Sequence, residues 1–575
     1  MLTRMRRFLS SYWKYCLPVV FGVAVFLFWR LGYFFTLSYH EQFQLFLFDG
    51  DYFLGRMSSP GGFARYVAEF LVQFYNNVTC GALILAVLFV ALQWLTRRLM
   101  IVNQAHGMRN KESMNTASSS SFILHSSLLP AIALWFVMGD ENVMLTYVVS
   151  LIMAMACMLY RPRKKYVRWA YVLVIIPLLY WLIGPMVLLV AFYLMPLSAI
   201  YALACIFVSA YWVPFPLKQL MIGIDYYRVF DVVSYSLLLP PVLVLLLVYG
   251  SRYLPMQGKK MSLGMLALVC VMASLVGYLG YDKKKYELIE YDYLVRVKDW
   301  NGIIAKAEKN MPDLPMSVCA TNLALAMTNQ LGERAFNFFQ HGKEGLVPRF
   351  ERQFAIAQLT GELYYHLGLV NTAGRLAYES MEALPNYNKS ARAMKRLAET
   401  NLINGQYEVA RKYLLLLQKT IFYRPWATRT LSLLGNEQQI NQHPVYGWLR
   451  QVRLQDDFLF SEQEVDKICG QLFMHNSKNT MAMQYLLMTP LLDRDVNRFM
   501  QYMQVVQERV SYNPRICQEV ICLAYAQHGQ QPPSGMVSSW VMNDFSNFMQ
   551  DYRSSGGNRA AMQRYKHTAW FYLVL

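Results

Sequence analysis

Acidic residues in one short segment have the types and spacing that could support chemistry. Asp49 and Asp51 form an Asp-x-Asp pair, and Glu41 lies upstream, just after an apolar run. Carboxylates can accept a proton from a reacting group or bind a hard cation through oxygen. Asp-Gly-Asp is also an ordinary turn sequence, and Glu41 could simply mark the end of the apolar run. Both readings are open at this point.

The residues after this pair could form an interfacial helix. The stretch 62–76 carries Phe63, Tyr66, Val67, Phe70, Leu71 and Phe74 at helical spacing. A helix with such an apolar face lies along a membrane surface, with that face in lipid. We therefore expect residues 38–79 to be an external loop that carries acidic residues, glycines and a surface helix.

Long apolar blocks flank this loop and must position it. Of the 575 residues, 55% are hydrophobic and only 16% are charged. The block Trp169–Leu217 contains no Asp, Glu, Lys or Arg. A spanning helix needs about 20 apolar residues, so this block enters the membrane more than once. The sequence predicts an all-α, polytopic bundle of eight or nine spans within residues 1–280, at 16–37, 80–96, 122–138, 143–160, two or three within 169–216, 231–250 and 261–280.

The net charge of +18 does not indicate nucleic-acid binding, because the basic residues cluster at the ends of apolar blocks. The clusters are Arg4, Arg6, Arg7 and Lys14; Arg97, Arg98, Arg109 and Lys111; and Arg161, Arg163, Lys164, Lys165 and Arg168. Cytoplasmic loops carry such an excess. We therefore predict a plasma or inner membrane protein with a cytoplasmic N-terminus, an external 38–79 loop and no nucleic-acid partner.

The side of the membrane reached by the C-terminal half depends on the block 169–216. Pro177, Gly184-Pro185 and Pro196 divide it into two ordinary spans or three short ones. Two spans leave the C-terminal half cytoplasmic, and three place it outside. The count of basic residues in the loops differs too little between the alternatives to decide.

From Tyr281 onward the sequence becomes mixed and helical, and it repeats. Gly332, Gly368 and Gly405 recur at the period of helix–turn–helix solenoids. Around the second glycine, Gly361, Tyr364, Ala373, Ala377 and Pro385 occupy the positions of a tetratricopeptide repeat. We expect a linker with first helices at 281–314 and a soluble tetratricopeptide-like domain at 315–575 that binds a protein or peptide partner. The alternative is an irregular helical bundle.

This layout resembles the membrane glycosyltransferases of the GT-C superfamily, which carry an acidic pair and amphipathic helices in the first external loop. Some members also have an extracytoplasmic C-terminal domain with tetratricopeptide repeats. The resemblance implies that Asp49 or Asp51 acts as general base or helps to hold a divalent cation, Mg²⁺ or Mn²⁺, with Glu41 as a further catalytic candidate. It implies a donor sugar linked to a lipid phosphate.

The same resemblance assigns substrate contacts to two further pairs of residues. Asp140 and Glu141 lie in the second external turn, where some members carry another acidic motif, and Arg56 and Arg65 could pair with the lipid phosphate. Asp140 and Glu141 could equally form a solvated turn. The resemblance also favours an extracytoplasmic C-terminal domain.

A second hypothesis is a non-catalytic membrane scaffold whose helical repeats recruit other proteins of the cell envelope. The chain is similar to bacterial membrane proteins of the same layout, a likeness that reveals no function. The sequence contains no Walker A, HExxH or GxSxG motif. Nearly all the span interiors lack charges, which argues against a transporter.

Overall fold

The computed structural model describes residues 16–107, 120–253, 259–349, 354–455, 461 and 464–575. These residues form helices joined by loops and contain no β-strand, although Val143 and Tyr227 form an isolated bridge. The predicted all-α class is confirmed for this part of the chain. Some of the basic residues that predicted cytoplasmic loops lie outside the described ranges, namely Arg4, Arg6, Arg7, Lys14, Arg109 and Lys111.

The chain divides into two compact units. The first contains Met1–Tyr286 together with two short segments of the C-terminal half, Pro385–Ser390 and Lys419–Arg424. The second contains Glu287–Leu384, Ala391–Gln418 and Pro425–Leu575. The first unit thus extends beyond residue 280, where the sequence predicted its end, and it includes two segments that the sequence assigned to the repeat domain.

The described helices of the first unit lie between residues 16 and 279. In chain order they are Cys16–Gly32, Phe34–Glu41, Gly50–Met57, Gly62–Val72, Val78–Gly107, Ser121–Ser126, Leu129–Val137, Leu145–Met158, Lys165–Ile183, Val187–Leu194, Ser198–Ser209, Leu217–Ile222, Leu239–Gly250 and Lys259–Leu279. The helix Lys283–Val297 follows, and the boundary between the units falls within it.

Some of these helices are long and apolar enough to cross a membrane. By length and composition these are Val78–Gln104, Lys165–Leu194 and Lys260–Leu279. Cys16–Gly32 and Phe34–Glu41 together form a further candidate, bent by 80°. Helices such as Leu145–Met158 and Ser198–Ser209 are apolar but shorter. The described residues therefore show a few possible spans and do not match each of the predicted eight or nine.

The apparent span Lys165–Leu194 is a hairpin. Gly184 has a φ of +67° and separates Lys165–Ile183 from Val187–Leu194. A continuous helix of this length would separate its ends by about 45 Å. Instead, the two ends are close together. Arg161 lies just ahead of the first helix, and its Nη2 donates to Leu194 O, at the end of the second helix, at 3.2 Å. The chain therefore turns back at Gly184.

The loops of the first unit meet at two levels. At one level, Gly61 N donates to Trp181 O at 2.9 Å, Met144 N donates to Tyr226 O at 3.0 Å, and Tyr286 Oη donates to Gly139 O at 2.9 Å. At the other level, Arg252 Nη2 donates to Asn103 Oδ1 at 2.8 Å, and His125 Nδ1 lies 3.0 Å from Ser262 O. The loop 38–79 and the end of the first unit thus share one level.

The predicted surface helix exists, and its charges face inward. The helix Gly62–Val72 buries Ala64, Arg65, Ala68, Glu69 and Val72. Its predicted apolar residues are exposed or half-buried, and Phe63 is the most open at 36% exposure. Tyr66 and Phe70 contact the ring of Phe46. An apolar outer face and a charged inner face suit a helix between lipid and a polar protein interior.

The second unit consists of short helices packed on their neighbours in sequence. They are Trp300–Lys309, Pro315–Met327, Leu331–Arg334, Phe354–Leu367, Val370–Glu382, Ala391–Ile403, Tyr407–Gln418, Arg424–Leu431 (from its second residue), Glu437–Gln442, Tyr446–Val452, Val465–His475, Thr480–Leu492, Val496–Gln507, Arg515–Gln527, Ser539–Ser555 and Ala569–Val574.

Two of the predicted repeat glycines make turns between helices. Gly368 (φ +98°) joins Phe354–Leu367 to Val370–Glu382, and Gly405 (φ +78°) joins Ala391–Ile403 to Tyr407–Gln418. Each pair packs together. Gly332 differs, because it lies inside the helix Leu331–Arg334. In this part of the chain the residue with left-handed backbone is Asn329 (φ 58°), which follows the helix Pro315–Met327.

A buried carboxylate links two of these hairpins. Glu362 accepts a hydrogen bond from Arg396 Nη2 at 2.6 Å and lies 3.8 Å from Arg392 Nη2. Burial alone would raise the pKa of Glu362, but the charges of Arg396 and Arg392 outweigh it and lower the pKa from 4.5 to about 2. The folded state therefore favours the ionised form of this carboxyl.

The substitution Glu362→Gln should remove stability only where the carboxylate is charged. Because the pKa is depressed in the folded state, the contribution is present above pH 4.5 and is lost as the pH falls toward 2. At neutral pH we expect opening of Phe354–Leu367, measured by hydrogen exchange, to become easier by about 3 kcal/mol. The difference should shrink below pH 4.5. Glu408→Gln, at an exposed ion pair, should change little. A difference that does not depend on pH would contradict this account.

Candidate functional site

The helices Gly50–Met57 and Gly62–Val72 meet at a turn that requires glycine. Gly61 has a φ of +77°, which non-glycine residues rarely adopt. A Cβ atom on Gly62 would lie 2.1 Å from Arg56 O, so a larger residue would clash with the backbone. The turn therefore allows the helix that ends near Arg56 to approach the helix that carries Arg65 and Glu69.

Glu69 is the centre of the resulting polar cluster. Its carboxylate is fully buried and accepts from Arg56 Nε at 2.9 Å and from Arg65 Nε at 3.2 Å. Tyr52 Oη also donates to Glu69 Oε2. A buried carboxylate needs such partners, since an unpaired charge in this environment would cost several kcal/mol, by a rough estimate.

A second buried carboxylate, Asp225, balances the second arginine. Asp225 Oδ2 lies 2.6 Å from Arg65 Nε, and both groups are almost completely buried. Asp225 has a φ of 56°, a conformation that is rare for a residue with a side chain. With Glu69 and Arg56, the cluster contains two acidic and two basic groups and is formally neutral.

The segment Pro385–Ser390 completes the cluster with two asparagines. Asn388 Oδ1 accepts from Arg56 Nη2 at 3.1 Å and from Arg65 Nη2 at 2.9 Å. Its Nδ2 donates to both carboxylate oxygens of Asp225, at 3.1 and 3.2 Å. Asn386 Nδ2 donates to Asp225 Oδ1 at 2.6 Å, and its backbone oxygen accepts from Arg65 at 3.0 Å. The hydrogen bonds of the two asparagines thus connect this segment to the arginines and to Asp225.

The charges of the cluster shift the pKa values of two of its groups. Burial would lower the pKa of Arg56, but the neighbouring Glu69 carboxylate outweighs burial and raises it. Burial and Glu69 together raise the pKa of the Tyr52 hydroxyl. Arg56 therefore remains a cation, and Tyr52 remains a neutral hydrogen-bond donor, throughout the physiological pH range.

A cavity of about 330 Å³ lies beside this cluster. Its wall combines basic, hydroxyl, amide and apolar side chains, and no carboxylate is among the described residues that line it. The lining residues are Leu45, Leu47, Tyr52, Gly55, Arg56, Ser58, Ser59, Arg65, Pro214, Phe215, Asn386, Tyr387 and Lys389. Such a volume and mixture fit a small anionic group attached to an apolar one.

The predicted arginines come together, but the predicted catalytic carboxylates lie outside this cluster. Asp49 forms an ion pair with Lys419 Nζ at 2.8 Å. Asp51 is exposed in the first turn of Gly50–Met57. Glu41 is buried and accepts a hydrogen bond from Tyr423 Oη at 2.9 Å. Their catalytic roles remain predictions.

The predicted cation at Asp49 and Asp51 does not fit the described residues. No group of three or more His, Cys, Asp or Glu side chains within the described ranges is placed to hold a metal ion. Asp49 is instead neutralised by Lys419. The described side chains at this position therefore form an ion pair and not a metal-ligand set.

Asp140 and Glu141 belong to a different part of the first unit. Asp140 Oδ2 accepts from Tyr227 Oη at 2.6 Å, and Glu141 Oε1 accepts from Lys285 Nζ at 3.1 Å. Neither residue lines the cavity. These contacts hold the turn after Leu129–Val137, and the predicted role of both residues in substrate binding stays a prediction.

Comparison with known families places the chain in a group defined by sequence. A family model matches residues 11–575, nearly the whole chain. The chain belongs to DUF6057, a family of unknown function. No curated protein and no solved structure matches it. Membership in DUF6057 assigns no activity, so the function of this member has to be argued from its own site.

Glu69, Asp225, Asn386 and Asn388 were missed as site residues in the sequence. Glu69 had a local signal, because Arg65 and Glu69 are one helical turn apart, away from the aromatic residues of this DUF6057 helix. The two asparagines had none, since Asn388 is separated from Arg56 by 332 positions. Only the folded chain brings these groups together.

Replacing Asp225 by alanine should destabilise the first unit and release the segment Pro385–Ser390. Removing one member of a buried ion pair typically costs about 3–5 kcal/mol, and Arg65 retains Glu69, so we expect the lower end. Thermal denaturation in detergent should show a reduced midpoint, and hydrogen exchange should increase at residues 385–390. Asp231→Ala, at an exposed aspartate of the same unit, is the control. Equal midpoints for the two variants would rule out this role.

Proposed function

We propose that this DUF6057 protein binds a lipid-phosphate-linked sugar in the cavity beside Arg56 and Arg65 and transfers the sugar, as a GT-C-like glycosyltransferase. The composition of the cavity wall carries the proposal. Arg56, Arg65 and Lys389 line it without an acidic residue among the described lining residues, and Ser58 supplies a hydroxyl. Cations and hydroxyls bind phosphate oxygens, and apolar residues on the same wall suit the start of a lipid chain.

The proposal includes a multi-pass arrangement of nine apolar passes. It counts the bent pair 16–41, the helix from Val78, the segments 121–137 and 145–158, three pieces within 165–209, and the passes 239–250 and 259–279. The contacts of Gly61 with Trp181 and of Tyr286 with Gly139 support this order. Counted from the N-terminus, each of these residues lies at or after the end of an odd-numbered pass, so the proposed order places them all on the same side of the membrane. The C-terminal half is then extracytoplasmic.

The proposed reaction joins an acceptor hydroxyl to the sugar. The hydroxyl oxygen forms a bond to the anomeric carbon, and its proton moves to a carboxylate. The bond between the anomeric carbon and the phosphate oxygen breaks, and the lipid phosphate leaves with the electron pair. Lys389, which lines the cavity outside the neutral cluster of Arg56, Arg65, Glu69 and Asp225, stabilises the charge that develops on this phosphate.

Asp51 and Asp49 are the proposed bases. Asp51 is exposed and lies one helical turn before Gly55, which lines the cavity. Asp49 directly precedes the same helix. A positioned carboxylate that accepts a proton typically accelerates such a step by about 10²–10⁴-fold. No step of the proposal depends on a metal ion.

A non-catalytic scaffold is the second candidate, and a specific observation favours it. Glu41 binds Tyr423 and Asp49 binds Lys419, so two of the three predicted catalytic carboxylates hold the segment Lys419–Arg424. In this case the charged residues of the external loop are structural. The tetratricopeptide-like hairpins at Gly368 and Gly405 would supply the surface for an envelope protein or peptide.

The wild-type protein should bind a polyprenyl phosphate through the phosphate group. In nanodiscs of phosphatidylethanolamine, undecaprenyl phosphate should bind more tightly than undecaprenol, as measured by native mass spectrometry. Lys389→Ala should weaken binding of the phosphate about tenfold, since it removes a charge-assisted contact. Lys283→Ala, at an exposed lysine of the same unit, should not. Equal binding of the alcohol and the phosphate would exclude this site for the donor.

The double substitution Asp49→Asn and Asp51→Asn should abolish sugar transfer without abolishing membrane insertion or lipid binding. Transfer is measured as undecaprenyl phosphate released from a pool of undecaprenyl-phosphate hexoses, with cell-envelope extract as the acceptor. We expect a loss of about 10²-fold or more. Asp231→Asn serves as the matched control. Full turnover by the double variant would favour the scaffold.

A further inference from the structure

An exposed tyrosine is held on an unusual turn at the wall of the cavity. Asn386 and Tyr387 have φ values of 60° and 58°, so two consecutive residues with side chains adopt the left-handed region. This region is unfavourable for residues with a side chain, so the surrounding structure must hold them there. Tyr387 lines the cavity, and 80% of the residue is exposed.

The bonds that hold this turn are made by its neighbours. Gln219 Nε2 donates to Asn386 Oδ1, and Asn386 and Asn388 donate to Asp225. Leu45 N donates to Lys389 O at 2.9 Å. Among the described residues, no hydrogen bond, ion pair or ring contact is made by the Tyr387 side chain. The anchors fix its backbone on both sides and leave its ring open.

Burial does not explain a tyrosine at this position. A ring that stays mostly in contact with solvent gains little from the hydrophobic effect, so its packing does not compensate for the strained backbone. A fixed backbone does have an advantage in binding, because the entropy of the backbone is lost in folding and not when the ligand arrives. The fixed turn therefore indicates a ligand contact.

We propose that Tyr387 contacts the sugar of the donor and determines which sugar is accepted, an inference that rests on the proposed function. The ring face can pack against the apolar C–H face of a pyranose, and the hydroxyl can bond with a sugar hydroxyl. Lys389, two residues further on, lines the same cavity and is the proposed contact of the phosphate. A single segment then contacts both parts of the donor.

The test compares lipids with and without the sugar. Wild-type protein and the variants Tyr387→Ala, Tyr387→Phe and Lys389→Ala are reconstituted in nanodiscs of phosphatidylethanolamine. Each is titrated with undecaprenyl phosphate and with undecaprenyl phosphate carrying glucose, mannose or galactose. Tyr235→Ala is the control, because Tyr235 is a similarly exposed tyrosine, at 89%, in the same unit. Thermal denaturation checks that every variant is folded.

We expect wild type to prefer at least one sugar-bearing lipid over undecaprenyl phosphate by about three- to tenfold. Tyr387→Ala should remove this preference while leaving the affinity for undecaprenyl phosphate unchanged. Tyr387→Phe should retain most of it, and Tyr235→Ala all of it. Lys389→Ala should weaken all the lipids together.

Three results would overturn the inference. An unchanged preference in Tyr387→Ala would refute the sugar contact alone. An equal loss of affinity for every lipid in Tyr387→Ala would assign the ring to the shape of the site and not to the sugar. If wild type bound neither undecaprenyl phosphate nor its glycosides, the proposed function would fail and the inference would fail with it.

Discussion

A carboxylate that is fully removed from solvent has to be paired, and in the first unit this requirement falls on Glu69. Two guanidinium groups, those of Arg56 and Arg65, satisfy it. Two cations then need a second anion, which Asp225 provides. The remaining hydrogen-bonding capacity of these groups is taken up by Asn386 and Asn388. One buried charge thus determines the positions of groups from three distant parts of the chain, residues 56–69, Asp225 and the segment Pro385–Ser390.

The Gly62–Val72 helix owes its orientation to the same pairing. In a water-soluble protein, the aromatic residues of this helix would face the core and the charges would face solvent. Here Arg65 and Glu69 are buried, whereas Phe63 is exposed and Tyr66 is half-buried. The arrangement is consistent with an apolar environment on the outside, where charged groups are more costly than aromatic ones.

Sequence patterns predicted the elements well and the polar contacts poorly. Apolar block length and helical spacing are local properties, so they correctly indicated the helical class, the helix after Gly62 and the turns at Gly368 and Gly405. They also drew attention to Arg56 and Arg65, although not to the carboxylates that neutralise them. Asp225 and Asn388 could not be found in this way, because nothing near them in sequence records that they meet. The pairing of Asp49 with Lys419 could not be predicted for the same reason.

The cavity wall is built from residues separated by several hundred positions, and this separation has a consequence for biogenesis. Arg56 is made early in synthesis, whereas Asn388 is made 332 positions later. Until then the early arginines lack their amide partner, and the cavity lacks the residues contributed by the segment Pro385–Ser390. The order of translation therefore delays completion of the cavity until this segment has been made, so a chain interrupted before it would lack part of the cavity wall.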